Sequence, residues 1–396
     1  MAYTPTILPP PTERSAVLRW LKHNLFSSWR DVLLTVLGIY ILISIILPIA
    51  RWAFTEANWT VVTSNVQLIL IGQYPIEQAW RLWVCLGLLA LLIGLSWGMA
   101  LRHQRRLGVA LLLLPPLFSL APNSVQSLPI LLAISALGLI GYMAAVRFPS
   151  SLIRRALTIG WLIYIPFCYL IIRGVEPVLP EVGSNLWGGL MLTILLTAVG
   201  IVLSFPLGIL LALGRRSSLP IIHWFCIAYI EVIRGVPLIT VLFMAQLVLP
   251  LFLPSGLEID RVVRAMAGIT LFSAAYVAEN VRGGLQNIPR GQFEAADALG
   301  LSGLQKMTLV VLPQAIRTVV PILVGQFIGL FKDTSLVAIV SLLDLLGIAN
   351  TVLAQPQFIG TQREVYFFIA VIYWILSFVM SALSKRLELK STTHAI

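Results

Sequence analysis

The sequence predicts an all-α protein that crosses a membrane several times, and three observations carry that prediction. Hydrophobic residues make up 59% of the 396 residues, charged residues 11%, and the mean hydropathy is +0.94. A soluble globule, about a quarter of it charged, cannot hide so much apolar surface. Uncharged runs such as 32–50 and 319–330 cross or nearly cross a bilayer, which takes roughly 20 helical residues. The basic residues behind the net charge of +11 fall in short clusters between apolar runs, at 102–106, 147–155, 214–217 and 385–390. Retention of positive charge on the cytoplasmic side leaves this pattern. The clusters lack interleaved aromatics and any nucleic-acid fold signature, so a lipid bilayer and no nucleic acid is expected around the chain.

In chain order, residues 1–30 form a Pro-rich tip and a basic stretch with interleaved apolar residues. It reads either as an interfacial helix on the cytoplasmic leaflet or as a solvated leader. It is too long for the n-region of a cleaved signal, which makes the first apolar run a retained anchor. Ten spans are expected, at approximately 32–50, 82–101, 107–121, 128–146, 156–172, 187–213, 236–253, 264–285, 318–342 and 366–384; eight meet the same parity. The third carries Pro115-Pro116, tolerated where neighbouring helices satisfy the freed backbone groups. Starting from a cytoplasmic N-terminus, alternation places most of the 27 Lys and Arg inside and leaves Glu176, Glu181, Glu258 and Asp260 in outer loops. Both termini then face the cytoplasm. Residues 31–185 read as an apolar extension without identifiable chemistry, 186–390 hold the patterned polar residues, and 391–396 form a tail. No inverted repeat marks a secondary-transporter architecture. Cys85, Cys168 and Cys226 have no close pair in sequence and read as buried thiols. The four histidines lack metal-ligand spacing, and no metal site is expected. The Asn58-Trp59-Thr60 sequon is short enough to arise by chance.

One segment departs from the apolar pattern. Residues 289–313 carry Glu294, Asp297 and Lys306 and break at Gly300 and Gly303. Pro289 suits a helix's first turn, where its missing N–H costs nothing, and Gly300 stands where a left-handed C-terminal residue belongs. Ser302 and Gln305 then match a capping box. A short helix, a sharp turn and a second helix returning to the membrane are expected, a compact knob on the cytoplasmic surface.

The same residues carry a resemblance. Glu294-Ala295-Ala296, three residues, Gly300, nine residues, Val310, one residue and Leu312-Pro313 resemble the EAA loop of ABC-importer permeases of the binding-protein-dependent type, which usually have Ile where Val310 stands. The stretches 229–239, 273–300 and 331–347 are similar to the polar amino-acid branch of that family (glutamate/aspartate/glutamine and general amino-acid permeases). The resemblance covers 186–390 and implies a permease core of about five helices, with the first 185 residues as an N-terminal extension of about five more. It further implies a bacterial cytoplasmic (inner) membrane location and three kinds of partner: two ABC ATPase subunits, a second permease subunit, and a periplasmic or extracellular amino-acid-binding protein. The loop would be a coupling helix docked on an ATPase subunit. Glu294 would make charge contacts, Ala295 and Ala296 would allow close approach, Gly300 would make the turn, and Leu312 and Pro313 would close the motif. The chain has no G-x-x-x-x-G-K-[ST] sequence, and none of its five lysines directly follows Gly. ATP and Mg are therefore expected on the ATPase partner, and no catalytic residue or cofactor on this chain.

Charges inside apolar runs are costly unless paired or hydrated, which makes them functional candidates. Glu279 lies in 264–285, and Lys332-Asp333 interrupts 318–342. In one reading Glu279–Arg282 and Lys332–Asp333 are pairs that satisfy the bundle interior. In the other, Glu279 and Asp333 line a substrate pathway where Asp333 meets an ammonium, and Lys332, Thr334 and Ser335 meet a carboxylate. Glu231 and Arg234 are expected to position a helix or an assembly contact, and Arg282 and Arg290 to mark the cytoplasmic interface. An ion- or proton-coupled secondary transporter, with Glu279 and Asp333 in a relay, is the competing class. A membrane scaffold would not need Lys332-Asp333 at depth.

Overall fold

The structure is a computed structural model that describes residues 20–21, 23–100, 108, 115, 128–148, 150–254 and 256–392. Most of the leader 1–30, nearly all of the expected span 107–121, the cluster 102–106 and the end of the tail lie outside the described residues. The described chain divides into two compact units, meeting at Trp59 and Thr60. Among the described residues eight helices are long and apolar enough to cross a membrane, and counting a bent pair as one span gives a ninth.

The first unit is one helix, α1 (Trp29–Arg51), extended by a wider turn to Glu56. Ser28 starts it through a capping box: its hydroxyl accepts from the Asp31 amide while the Asp31 carboxylate accepts from the Ser28 amide. No residue of α1 is buried. An all-round apolar surface of this kind suits lipid, and Trp29, Trp52 and Trp59 sit at its two ends, where amphipathic rings meet the headgroups.

The second unit begins with two short helices, α2 (Thr60–Ser64) and α3 (Val66–Ile71), then α4 (Trp80–Ala100), α5 (Leu128–Arg147) and α6 (Ser151–Arg173). Helices α4 and α5 approach closely because their contact is made of small residues; a methyl group on Gly141 would meet the Leu91 carbonyl oxygen at 2.5 Å. Arg81, in the first turn of α4, is fully buried. Its guanidinium donates to the Pro180 and Ile171 carbonyls at 2.9 and 3.4 Å, and the Tyr74 hydroxyl donates to the neighbouring Ile172 carbonyl at 2.8 Å. These are carbonyls at and beyond the C-terminal end of α6, where the helix dipole favours a cation. The Cys85 and Cys168 thiols, on α4 and α6, are free and buried in one apolar cluster, a proximity that sequence spacing does not reveal.

The remaining helices are α7 (Gly189–Gly214), α8 (Pro220–Gly235), α9 (Leu238–Phe243), α10 (Arg261–Gln286), α11 (Arg290–Ala298), α12 (Leu312–Asp333), α13 (Leu345–Leu353) and α14 (Gln362–Thr392). The expected span 236–253 needs correction. It is the second limb of a bent helix pair, Pro220–Gly235 plus Leu238–Phe252, that turns by 107°. The bend follows from Gly235 and from Pro237, which holds Val236 extended (φ −115°, ψ 148°). Glu231 and Arg234 hid the first limb by lowering its apolar average. Helix α10 packs against α7, α8 and α12, so one helix touches most of this bundle. One apolar cluster, with Ala212, Val281, Val311 and Val319, lies at the end nearest 289–313. Another, with Trp187, Leu196, Ile269 and Val337, fills the far end. The part of the extension in this unit docks there too: Gly72 pairs with Trp187, and the Gln355 amide donates to Asn65 Oδ1 at 2.9 Å. Residue 185 thus marks a change of sequence pattern inside one packed unit.

Candidate functional site

The loop between α10 and α12 is built as a hairpin of helix ends. Pro289 caps α11, and the chain reverses at Gly300, whose φ of +71° is left-handed; a side chain there would be strained. The Gly300 amide donates to the Asp297 carbonyl at 2.9 Å and the Leu301 amide to the Ala296 carbonyl at 3.2 Å, the Schellman pattern. Beyond the turn, Ser302 and Gln305 form the expected capping box. A single turn, Gly303–Gln305, and a wide turn, Lys306–Val311, then lead into α12. Lys306 Nζ reaches Asp297 Oδ1 at 2.5 Å and the Gln314 amide donates to Gln292 Oε1 at 3.0 Å, so side chains tie the two limbs together.

Glu294, Ala295 and Gly300 are exposed, and Leu299 and Leu304 flank the turn at 79% and 76% exposure. The hairpin therefore presents the carboxylates of Glu294 and Asp297, the small residues Ala295 and Ala298, and exposed leucines to its surroundings. Ala296 does not share this surface. It is 2% exposed, so its small side chain serves packing inside the hairpin and not approach by a partner. Leu312 is half-buried against the nearer apolar cluster, while Pro313 sits exposed in the first turn of α12.

The charged candidates do not form one site. Glu279 lies about 10 Å by helix rise from the loop end of α10. Lys332 and Asp333 end α12, about 32 Å from its loop end. They are exposed, Ser335 is half-buried, and the buried Thr334 hydroxyl donates to the Phe331 carbonyl at 2.6 Å. Of the expected pathway residues, Glu279 thus lies toward the loop end of α10 and Lys332, Asp333, Thr334 and Ser335 at the far end of α12.

Glu279 instead meets three arginines. Arg282 grips it with two nitrogens, as the sequence allowed. Arg215 Nη1, just past α7, lies 3.5 Å from Glu279 Oε2 and 3.0 Å from Glu231 Oε1, and Arg234 Nη1 lies 3.7 Å from Glu279 Oε2. The Arg234 guanidinium also stands 5.7 Å from the centre of the Tyr276 ring. Arg215 escaped notice because its cluster 214–217 was explained by membrane topology alone. A second polar group also emerges: the Asn280 amide donates to Gln326 Oε1 at 2.5 Å, and Gln326 Nε2 to Ser273 Oγ at 3.3 Å. Uncharged amides within apolar runs were its only signal. A third is Asp344, buried at the N-terminus of α13, accepting from the Leu346 and Gly347 amides and the Tyr373 hydroxyl. Burial pushes its carboxyl up to about 6 against those donors.

With this geometry established, three relatives and one family description bear on it. Residues 204–392 match the family described as binding-protein-dependent transport system inner membrane component. The inner membrane amino-acid ABC transporter permease protein YhdY of Escherichia coli is 39% identical, covering 97% of this chain and 96% of that protein. The glutamate/glutamine/aspartate/asparagine transport system permease protein BztC of Rhodobacter capsulatus is 36% identical, over 96% of this chain and 95% of its own length. The glutamate/aspartate import permease protein GltK of Escherichia coli is 40% identical over 50% of this chain and 90% of its length. Two relatives thus share the whole length, extension included, and one shares about half. The chain belongs to the family of amino-acid ABC transporter permeases, multi-pass inner-membrane components of transport systems.

Proposed function

We propose that the chain imports polar amino acids as one permease subunit of an ABC transporter, coupled to ATPase subunits through residues 289–313. The observation that carries this reading is the exposed hairpin between α10 and α12. Its turn is fixed by Gly300 and it offers Glu294, Ala295, Leu299 and Leu304 to a protein cleft. Leucines at such exposure have little reason to stay in water unless something covers them. ATP and Mg act on the partner subunits, since this chain carries no P-loop sequence. A second, related permease subunit completes the pathway, and an external binding protein delivers the amino acid. Both termini and the hairpin face the cytoplasm, as the basic clusters direct. The relatives that transport glutamate, glutamine, aspartate and asparagine support a polar amino-acid substrate. Residues 186–390 supply the permease core and 31–185 an extension, whose Asn65 and Gly72 hold to the far end of that core.

For substrate passage we assign Lys332, Asp333, Thr334 and Ser335 to the far mouth of the pathway and the Asn280–Gln326–Ser273 group to its middle. Glu279 belongs with its arginines. The test is uptake into proteoliposomes holding this chain, its ATPase and permease partners and the binding protein. Glutamate, glutamine, aspartate or asparagine is expected to accumulate only with ATP inside the compartment equivalent to the cytoplasm, and to be indifferent to an uncoupler. Accumulation that collapses with an uncoupler and ignores ATP would contradict the proposal and restore the ion-coupled alternative.

A further inference from the structure

We infer that Glu279 is a positioning residue for transport: it fastens the elbow of the bent pair α8–α9 to the helix that runs into the coupling hairpin. The inference rests on the coupling reading above. Glu279 is on α10, seven residues before the Gln286 end from which the hairpin leaves. Arg234 is on α8, one residue before the elbow glycine, Gly235. Arg215, from the end of α7, sits between Glu279 on α10 and Glu231 on α8. Thus three separate helix ends converge on one carboxylate, and the elbow lies beside it.

Apolar packing holds the limbs on either side of the elbow, through Ile230 on α8 and Leu238 and Leu242 on α9, but leaves the elbow glycine itself open. A methyl group on Gly235 would meet nothing within 4 Å, and Val236 and Pro237 are extended linker residues between α8 and α9. The ties that cross from α8 to α10 are the Arg234 contacts with Glu279 and Tyr276, the Arg215 bridge, and the Tyr229 hydroxyl on the Leu271 carbonyl at 2.7 Å. Charge attraction acts over several ångströms with weak angular demands, unlike a close-packed contact. Three guanidiniums also exceed two carboxylates. Arg215 Nη1 and Arg234 Nε are buried without an aligned hydrogen-bond acceptor. Such a cluster can exchange partners as helices shift, so it transmits a displacement of α10 to the elbow without having to break open.

The experiment uses the assembled transporter in nanodiscs, with spin labels at Ile222→Cys and Leu251→Cys, exposed positions on the two limbs. Label separation is measured with and without a non-hydrolysable ATP analogue, beside basal and binding-protein-stimulated ATP hydrolysis. In the unmodified chain the separation should be narrow and move with nucleotide. Glu279→Gln should broaden it and uncouple it from nucleotide, and should pull the stimulated-to-basal ratio toward one, with ATPase subunits still bound. Arg215→Gln, which keeps the Glu279–Arg282 pair, should give the same loss in milder form and stands in if Glu279→Gln does not assemble. Arg282→Gln removes only the partner on the same helix and should keep elbow and ratio near normal. A narrow, nucleotide-dependent separation and a full ratio in both Glu279→Gln and Arg215→Gln would overturn the inference. An unmodified elbow that ignores nucleotide, with ATPase subunits bound, would overturn the coupling reading as well.

Discussion

Arg81 and Glu279 are both charges placed within the helical bundle, and they are handled in opposite ways. Arg81, in the extension, is enclosed by carbonyl oxygens at the end of α6 and has no carboxylate against it among the described residues. Those carbonyls are fixed in the backbone, so this arrangement has one solution. Glu279, in the core, is enclosed by side-chain guanidiniums from three elements and is about one-fifth exposed. That arrangement has several. Charges satisfied by backbone suit a brace, and charges satisfied by exchangeable side chains suit a moving part. The extension and the core differ accordingly: a buried arginine held by carbonyls on one side, a carboxylate among three arginines and a solvent-exposed hairpin on the other.

Arg81→Ala attacks the brace and should have the largest effect on stability. It leaves two buried carbonyls without donors and opens a cavity, together about 3 kcal/mol or more. Thermal unfolding in detergent should show the drop, while uptake per folded molecule stays near that of the unmodified chain. A variant that unfolds normally but transports poorly would erase the distinction between brace and moving part.

Asp344 lies where the two regions join, and it should respond to pH. Burial pushes its folded carboxyl up to about 6 from the ordinary aspartate value of 3.8. The folded chain therefore holds a proton that the unfolded chain has released. This stabilisation is complete below the unfolded value and is lost as pH rises through the folded one. Asp344→Asn removes the titration, so between about pH 4 and about pH 6 the unmodified chain should lose roughly 2 kcal/mol of stability relative to the variant, read as a falling melting temperature. Parallel curves would show that Asp344 titrates normally and does not clamp α13.

Lys306→Met sharpens the comparison at its weakest tie. The Lys306–Asp297 pair is half open to solvent on the Asp297 side, so its loss should cost less than about 1 kcal/mol. Uptake is expected to fall slightly or not at all, because Gly300 and the capping box hold the hairpin's shape without it. A large loss of uptake would move the coupling role from the backbone turn to this ion pair.

Much of this was legible in the residues because it depends on local chemistry. The apolar runs gave the spans, since a helix facing lipid has to be apolar along its length. Pro289, Gly300, Ser302 and Gln305 gave the hairpin, since caps and left-handed turns are specified within a few positions. What stayed hidden depends on tertiary proximity. The limb 220–235 looked too charged for a span because its carboxylate and arginine are matched by Glu279 and Arg215 from distant parts of the chain. Ala296 looked like part of the docking face because a motif does not say which side of a short helix is turned inward. Lys332-Asp333 and Glu279 looked like one site because both interrupt apolar runs; only the opposed ends of α10 and α12 separate them.

The central claim, that the hairpin carries force from ATPase subunits into the membrane helices, is met most directly by one double variant, Glu294→Ala with Gly300→Ala. Gly300→Ala forces a side chain into a left-handed conformation at about 1–2 kcal/mol, and Glu294→Ala removes the exposed carboxylate. Neither touches a buried contact of the bundle. ATP-driven amino-acid accumulation in proteoliposomes should drop to near background while the chain still inserts and folds. Accumulation at the full rate, with the ATPase subunits bound as before, would contradict the account.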